Sequence, residues 1–483
     1  MSIFSDLLEQ YIKEKDIKIY NLAAICQMDR SMLYRIISGK RNPPTLEIFQ
    51  RIADNLQLAP AEYENLKSAY ELTMLGETIY YRRKSVEKFF LDFPVHETVS
   101  FFHSPLENPS FFQHMSDTEN ACIPLSSKTE VAYYVHGILK QEASREKGNI
   151  KLLLQPDCPF LFGTLSSLHF TEQISITHVI CLSKTSQFTE ENQLYNLQYL
   201  QMMIPLFSSN LKYYPYYFYD DVIAHYHNFN GFPCMILTTE YAVVCTADYQ
   251  KGFLYKGSSL LKLLHELYDS YQEESRPLFH VIDYLPVDGS LQKVYQTFPS
   301  YVIQPEACII PLISDELLEK ILYKELPDRE AFIRQSSALI EANRQLLSPE
   351  KFSIYFTIPG LKHFLETGRI HEISEKIYRP LTPKERKKVL GNMLPYCRNG
   401  VYRLLKAPLN QLTENVHLVV NKNMGYLLFK DIRGQILCLT FNEPNLLNVF
   451  LDYAQGLEDG YLYTGEETEK AIQELLDTIP DAV

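Results

Sequence analysis

The chain contains 483 residues, of which 46% are hydrophobic and 22% charged, and its formal net charge is −13. This composition is typical of globular proteins and excludes extended disorder, while the length predicts roughly three domains. Because the protein is acidic overall, any contact with DNA requires a local basic patch. The sequence shows no run of ~18 apolar residues to span a bilayer and no basic-then-apolar leader, so we expect a cytoplasmic protein without a membrane partner.

The first 76 residues predict five short helices joined by tight turns. Apolar residues recur at helical spacing over 3–12 and end in a charged run. A second helix is predicted over 20–26, and three apolar residues form its expected buried face: Leu22, Ala23 and Ile25. Thr45 and Pro60 are suited to the first positions of a fourth and a fifth helix.

The third helix, predicted over 30–38, carries a concentration of positive charge. Asp29 is a suitable N-cap, and Gly39 follows at the position where a left-handed residue closes a helix. From the start of this helix to residue 41 the sequence has four cations and no acid: Arg30, Arg35, Lys40 and Arg41. Three apolar residues provide the face that holds the helix in place: Leu33, Ile36 and Ile37. The exposed face is therefore predicted to be basic.

This ordered series resembles the Cro/lambda-repressor-type helix-turn-helix family of transcription regulators, also called the xenobiotic-response-element family. The resemblance covers about 60–70 residues and rests on Leu22-Ala23, Met28-Asp29-Arg30-Ser31, Ile36, Ser38-Gly39-Lys40-Arg41, Pro44 and Ile52-Ala53-Asp54-Asn55-Leu56. In that family the third helix lies in the major groove of DNA. The resemblance therefore implies that the exposed face of this helix contacts DNA through Arg30, Ser31, Tyr34 and Arg35. It also implies phosphate contacts by Lys40 and Arg41.

Two positions depart from the family pattern. Gln27 stands in the tight turn, where the family often has glycine. Ile19 stands near the start of the second helix, where the family often has glutamine, so one phosphate contact is expected to be missing. The alternative interpretation is a small helical bundle that contacts another protein.

Residues 77–118 predict a helical linker. It begins with a second basic cluster, Arg82-Arg83-Lys84 and Lys88, on a helix that ends near Phe93. This cluster fits either contact with the DNA backbone or a solvated helix face, and the solvated face is the simpler interpretation. The segment that follows contains Pro105 and Pro109 and predicts irregular structure.

The rest of the chain predicts an α/β architecture, because strand-like and helical stretches alternate. Strand-like runs are predicted at 150–154, 174–182, 235–245, 352–358 and 416–429, and helices at 194–206, 260–271 and 329–347. The predicted fold class is therefore multidomain, with an all-α helix-turn-helix domain followed by a large α/β region.

An internal duplication suggests that the α/β region consists of two similar halves, 119–285 and 286–483. The segment 121–126 recurs in outline at 307–312, and the pattern of 236–268 recurs at 418–453. The repeat of roughly 185 residues is too long for a solenoid. Tandem α/β halves are similar in outline to the phospholipase-D-like fold, in which two halves meet at one cleft. No histidine has a lysine two residues later, so that superfamily's His-x-Lys signature is absent and the resemblance implies a binding protein.

The sequence provides no catalytic signature. It lacks the GxxxxGK[ST] and GxGxxG phosphate loops, the GxSxG elbow and HExxH. The nine cysteines include no CxxC pair, and His225 and His227 have no acidic or cysteine partner at a familiar spacing. We therefore expect free thiols, no metal, no cofactor and no enzymatic activity.

An unusual aromatic run covers residues 212–221, and its counterpart in the second half, 401–406, carries cations instead. If both segments line one cleft, an anionic or aromatic effector is expected to contact Tyr217, Tyr219, Arg403 and Lys406. The simpler alternative is an aromatic strand packed between helices.

Together these features predict a one-component transcription regulator. The first domain is expected to bind double-stranded DNA as part of a homodimer. The α/β region is expected to sense a small-molecule or peptide effector, to mediate self-association, or both. The alternative is an enzyme or effector domain that carries a helix-turn-helix module for DNA or partner binding.

Overall fold

The computed structural model describes residues 2–93, 121–156, 158–168, 173–185, 188, 194–208, 211–222, 231–282, 299–412, 416–431 and 433–478. The chain forms two compact units, residues 1–85 and 86–483. No helix in the described part of the chain is long and apolar enough to cross a membrane.

The first unit is a bundle of helices. They are α1 (Ile3–Glu14), α2 (Ile19–Ile25), α3 (Arg30–Ile37), α4 (Leu46–Asp54) and α5 (Pro60–Leu75), with the start of α6 (Glu77–Leu91). The predicted caps are confirmed, since the side chains of Asp29 and Thr45 accept hydrogen bonds at the starts of α3 and α4 and Pro60 opens α5. Phe4, Phe49 and Tyr70 pack ring against ring in the core. Local sequence signals therefore place these helices to within two residues.

Helix α6 crosses from the first unit into the second. The helix predicted at the start of the linker is confirmed as far as Leu91, and residues 94–120 lie outside the described part of the chain. Within the second unit, Phe89 and Phe90 are buried and their rings lie 5.6 and 6.3 Å from that of Phe450. The end of α6 is thus a core element of the second unit.

The second unit contains two mixed sheets. The first sheet has the strand order β1-β7-β6-β5-β2-β3-β4-β8. Its strands are β1 (Ala121–Leu125), β2 (Gly148–Leu153), β3 (Ile174–Leu182), β4 (Lys212–Tyr219), β5 (Cys234–Leu237), β6 (Tyr241–Cys245), β7 (Gly252–Lys256) and β8 (Arg276–Pro277). Its helices are α7 (Lys128–Ala143), α8 (Pro159–Ser167), α9 (Tyr195–Ser208) and α10 (Ser258–Glu274).

The second sheet has the strand order β12-β11-β10-β13-β14-β15-β9. Its strands are β9 (His280–Ile282), β10 (Ser300–Ile303), β11 (Phe352–Phe356), β12 (Tyr402–Leu404), β13 (His417–Val420), β14 (Gly425–Lys430) and β15 (Ile436–Phe441). The helices around it are α11 (Asp315–Ile321), α12 (Arg329–Gln345), α13 (Ile358–Thr367), α14 (Pro383–Arg398), α15 (Pro444–Gly456) and α16 (Gly465–Thr478).

Seven strands of the first sheet have a counterpart in the second. Strands β2, β3 and β4 are parallel neighbours, as are β10, β11 and β12. Within β5-β6-β7 and within β13-β14-β15, successive strands are antiparallel neighbours. Strand β1 then pairs antiparallel with β7, and β9 pairs antiparallel with β15. The pattern that relates 236–268 to 418–453 is therefore present as three strands and a helix in both places.

One predicted correspondence is wrong. Residues 121–125 form β1, whereas the similar sequence at 307–312 leads into a 3-10 helix, Ile310–Leu312, that follows β10. By strand order the counterpart of β1 is β9. Similar short sequences adopt different structures here because their strand partners, which lie far away in the chain, differ.

Apolar side chains arrange the second unit in layers. One core contains residues from one face of each sheet together with α7, α8, α9 and α15. A second core lies between the other face of the second sheet and α11, α12, α13, α14 and α16, and a smaller one lies between the first sheet and α10. The order of layers is therefore helix, sheet, helix, sheet, helix.

Candidate nucleic-acid interface

Helix α3 has one buried and one exposed face. Leu33, Ile36 and Ile37 are buried in the core of the bundle. The four residues predicted to contact DNA from this helix are all exposed: Arg30, Ser31, Tyr34 and Arg35. The periodicity of the helix thus places them together on one solvent-facing surface.

Asp29 occupies the N-terminus of α3. Its carboxylate accepts hydrogen bonds from the Ser31 hydroxyl at 2.5 Å and from the backbone N–H groups of Ser31 and Met32 at 2.8 and 3.2 Å. These bonds hold the pKa of Asp29 below its usual value, and the bond from the Ser31 hydroxyl has the largest effect. Because the carboxylate already occupies these donors, we do not expect a DNA phosphate at this end of the helix.

Arg30 and Tyr34 lie one turn apart on the exposed face. The guanidinium carbon of Arg30 is 5.5 Å from the centre of the Tyr34 ring, a separation at which a cation is attracted to the ring face. The flat guanidinium is therefore held above the helix surface. An arginine presented in this way is suited to the two acceptors on the major-groove edge of guanine.

The turn after α3 fixes the position of two further cations. Gly39 has φ of 68°, a left-handed conformation that glycine adopts at little cost. The backbone N–H of Arg41 donates to the carbonyl of Arg35 at 3.1 Å. Lys40 and Arg41 are exposed in this turn, so they lie directly after α3, where phosphate contacts are predicted.

The positive charge on and after α3 is distinguished by its lack of close acidic partners in the part of the chain that the structure describes. Within the described residues, none of the four cations at positions 30, 35, 40 and 41 forms an ion pair. Other cations of the bundle do, in the pairs Lys13–Glu9, Lys15–Glu62 and Arg51–Glu47. Residues 1–85 contain 12 Lys and Arg against 11 Asp and Glu, whereas residues 86–483 contain 34 against 48. The surface around α3 is thus a local basic patch on an acidic protein.

The turn between α2 and α3 has the shape that glycine favours but contains glutamine. Gln27 has φ of 52°, so its backbone is left-handed. The backbone N–H of Met28 donates to the Ala23 carbonyl at 2.9 Å and closes the turn. The departure at Gln27 therefore leaves the turn itself intact, at the cost of some backbone strain.

The predicted buried face of α2 is partly wrong. Leu22 and Ala23 are buried, but Ile25 is 61% exposed. Seven residues make only two turns, so two buried positions suffice to hold this helix. Tyr20 and Asn21 are also exposed on α2, and neither was singled out from the sequence. They lie on the helix before α3, as does Ile19, at whose position the family often has a residue that contacts a phosphate. This shared location identifies Tyr20 and Asn21 as further candidates for contacts with the DNA backbone.

Helices α2 and α3, joined by a tight turn and carrying a basic exposed face, define a helix-turn-helix domain of the DNA-binding class. Residues 8–63 match the model of a helix-turn-helix family. No curated protein and no solved structure matches the chain. Nothing in these comparisons supports the phospholipase-D-like resemblance of the C-terminal region.

The four residues predicted to bind an effector are not brought together. Tyr219 donates a hydrogen bond to Glu443, the N-cap of α15, and Tyr217 beside it is buried. Arg403 instead pairs with Glu458, just beyond the other end of α15. A helix of this length separates its ends by about 20 Å. The Tyr219 hydroxyl and the Arg403 guanidinium thus each have a partner within the protein, one at either end of α15.

Lys406, the fourth of these residues, lies with its amino group 5.1 Å from the centre of the Tyr463 ring. The pKa of Tyr219 is raised by burial and by the adjacent Glu443 carboxylate, so its hydroxyl remains a donor.

His225 and His227, considered as metal ligands, lie outside the described residues.

Sequence reasoning missed a buried polar group in the second unit. The His417 ring nitrogen Nδ1 lies 3.2 Å from a carboxylate oxygen of Glu372, and both side chains are at most 10% exposed. The thiol of Cys308 is 3.9 Å from the other oxygen of Glu372. The adjacent pair His371-Glu372 lies in a segment with many charged residues, so no signal in the sequence indicated that this pair is buried. No group of three potential ligands for a metal ion occurs among the described residues.

Proposed function

We propose that the chain is a sequence-specific DNA-binding transcription regulator whose C-terminal region senses a signal, mediates self-association, or both. The observation that carries the proposal is the exposed face of α3, with four cations that form no ion pair within the described residues and a turn that fixes Lys40 and Arg41. Arg30 and Arg35 read bases in the major groove, and Lys40 and Arg41 bind phosphates.

The proposal includes a homodimer, because one eight-residue recognition helix reads few bases and two-fold pairing doubles the site. An exposed leucine stripe on α10 supports it. Leu260, Leu263 and Leu267 are 40, 59 and 46% exposed and recur at helical spacing. The counterpart helix α15 buries Leu446, Leu447 and other apolar residues on both sides. A second copy of this chain provides the missing cover for α10.

Charge along α10 favours an antiparallel pair of these helices. Lys262 lies in its first half, Glu266 lies at its midpoint, 3.8 Å from Lys262, and Glu273 and Glu274 lie in its last turn. In a two-fold antiparallel arrangement, each half lies beside the oppositely charged half of the partner. The apolar stripe and the charge pattern thus fit the same self-complementary interface.

We also propose that the α/β region consists of two related halves that bind rather than catalyse. The common strand order of the two sheets supports a duplication, which is the feature on which the proposed resemblance in outline to the phospholipase-D-like fold depends. The sequence lacks the His-x-Lys signature of that superfamily. A ligand of this region regulates DNA binding only if it has different affinities for the DNA-competent and DNA-incompetent states.

The test is DNA binding by the full chain against a library of genomic fragments that includes the region upstream of its own gene. The variant Arg30→Ala/Arg35→Ala is compared with Arg51→Ala, whose guanidinium is already bound to Glu47. We expect salt-sensitive, selective binding that is lost in the double variant and kept in the control. Absence of selective binding by the unaltered protein would assign the bundle to protein contact instead.

A further inference from the structure

A cavity of about 500 Å³ lies in the second unit, beside the second sheet. It is lined by α11, α12, the segment 372–378 and the turn between β14 and β15. Its volume lies within the range of sites that hold drug-sized molecules. It lies apart from Tyr217, Tyr219, Arg403 and Lys406, none of which lines it.

Helix α12 forms a loosely packed wall of this cavity. Ile340 is its one fully buried residue, although the helix is 17 residues long. Phe332 and Leu339 line the cavity and are only half-buried. An apolar helix face normally packs closely against its neighbours. The incomplete burial of α12 therefore indicates space for an apolar occupant.

Glu372 is the acidic group in this otherwise mainly apolar wall. It lines the main cavity and also a smaller one of about 90 Å³, which Cys308 and Asn343 line as well. Among the residues that the structure describes, one carboxylate oxygen bonds to His417, and the other has only the Cys308 thiol, a weak donor, at 3.9 Å. A carboxylate accepts about four hydrogen bonds, so Glu372 retains the capacity to accept one from a ligand.

The charges near the cavity favour a neutral ligand over an anionic one. Arg433 lines the cavity, but its guanidinium forms two bonds to the buried carboxylate of Asp431, at 2.9 and 3.0 Å. Its charge is therefore balanced within the protein. Lys376 is exposed, where water screens its charge.

We propose that this cavity binds a mainly apolar small molecule whose polar end donates a hydrogen bond to Glu372. The role of this molecule as the effector rests on the proposed regulatory function, whereas its binding does not. Apolar surface from α11 and α12 excludes water from the tail of the ligand, and the carboxylate selects the polar end. A molecule of the same size without a donor displaces water from the remaining acceptor positions of Glu372 and gives them no hydrogen bond in return, which weakens binding.

The test is calorimetric titration of the full chain, without DNA, with octanamide and with methyl octanoate. Both have the same apolar chain, but only the amide donates a hydrogen bond. We expect the amide to bind about tenfold more tightly, the size of effect typical of one buried hydrogen bond. Ser336→Trp fills the cavity and is expected to abolish binding, because Ser336 lines it from α12. Ala338→Trp, on the exposed side of the same helix, is the matched control.

In Glu372→Ala, the amide and the ester are expected to bind with about equal affinity. The melting temperature of each variant shows whether it has folded. The proposal is overturned if neither compound binds, if both bind equally to the unaltered chain, or if Ser336→Trp binds as well as Ala338→Trp. Since DNA is absent, these results are independent of the fragment-library experiment. A second experiment measures the DNA affinity of the chain with and without octanamide. A change in affinity assigns the effector role to the ligand of this cavity. If the affinity does not change, the effector role is rejected while the binding site itself stands.

Discussion

Removing the two cations after α3 should reduce the salt dependence of DNA binding without changing sequence preference. Lys40 and Arg41 are exposed, form no ion pair among the described residues and are fixed by the turn at Gly39. Each cation that contacts a phosphate contributes about 0.9 to the slope of log K against log salt concentration. Lys40→Ala/Arg41→Ala should therefore lower the slope by about 1.8 per subunit, or about 3.6 for a dimer.

The assay is fluorescence anisotropy with a labelled duplex selected from the fragment library, repeated over a series of salt concentrations. Arg51→Ala is the control, and its slope should match that of the unaltered protein because Glu47 already neutralises Arg51. A duplex with altered bases in the binding site tests sequence preference, which should persist because α3 is unchanged. An unaltered slope in the Lys40→Ala/Arg41→Ala protein would refute the assignment of these residues to phosphates.

Three further predictions concern stability and assembly. Gln27→Gly should raise the melting temperature of the N-terminal unit. It relieves left-handed backbone strain of about 1–2 kcal/mol, which exceeds the cost of about 0.5–1 kcal/mol for the greater freedom of glycine in the unfolded chain. A lower melting temperature would contradict this. Leu263→Glu should convert a dimer to a monomer in light scattering, whereas Leu263→Met, which keeps the apolar surface, should not, and equal masses would remove α10 from the interface. Burial lowers the pKa of His178 to about 4. Below pH ~6.5 protons therefore bind preferentially to the unfolded chain. As a result, the free energy of unfolding should fall by up to about 3 kcal/mol as the pH is lowered toward 4. Urea unfolding of His178→Gln should lack this component, and an identical pH profile in both proteins would show that His178 is not responsible.

The buried histidine illustrates how the second unit satisfies polar groups in its core. Nε2 of His178 lies 2.9 Å from the Leu154 carbonyl and Nδ1 lies 2.7 Å from the Tyr213 hydroxyl. With Nε2 as donor and Nδ1 as acceptor, both nitrogens are satisfied by a neutral ring. Burial removes the water that would solvate a charged ring, and this desolvation lowers the pKa of His178.

The sequence by itself determined the helix-turn-helix domain. Its signals act between residues close in the chain: the Asp29 and Thr45 caps, the left-handed Gly39 and the apolar spacing of α3. Alternation of strands and helices in the rest of the chain was equally local. Such signals place elements well because capping and periodicity depend on the backbone within a turn or two.

Only the tertiary structure decided which strands are neighbours and which side chains meet. The order of the two sheets and the different structures of 121–125 and 307–312 depend on partners far away in the chain. Arg403 and Tyr219 lie on corresponding strands yet at opposite ends of α15. Glu372 meets His417 across 45 residues, and the cavity beside them exists because α12 packs incompletely. Packing between distant segments leaves no periodic trace in the sequence, and therefore these features required the fold.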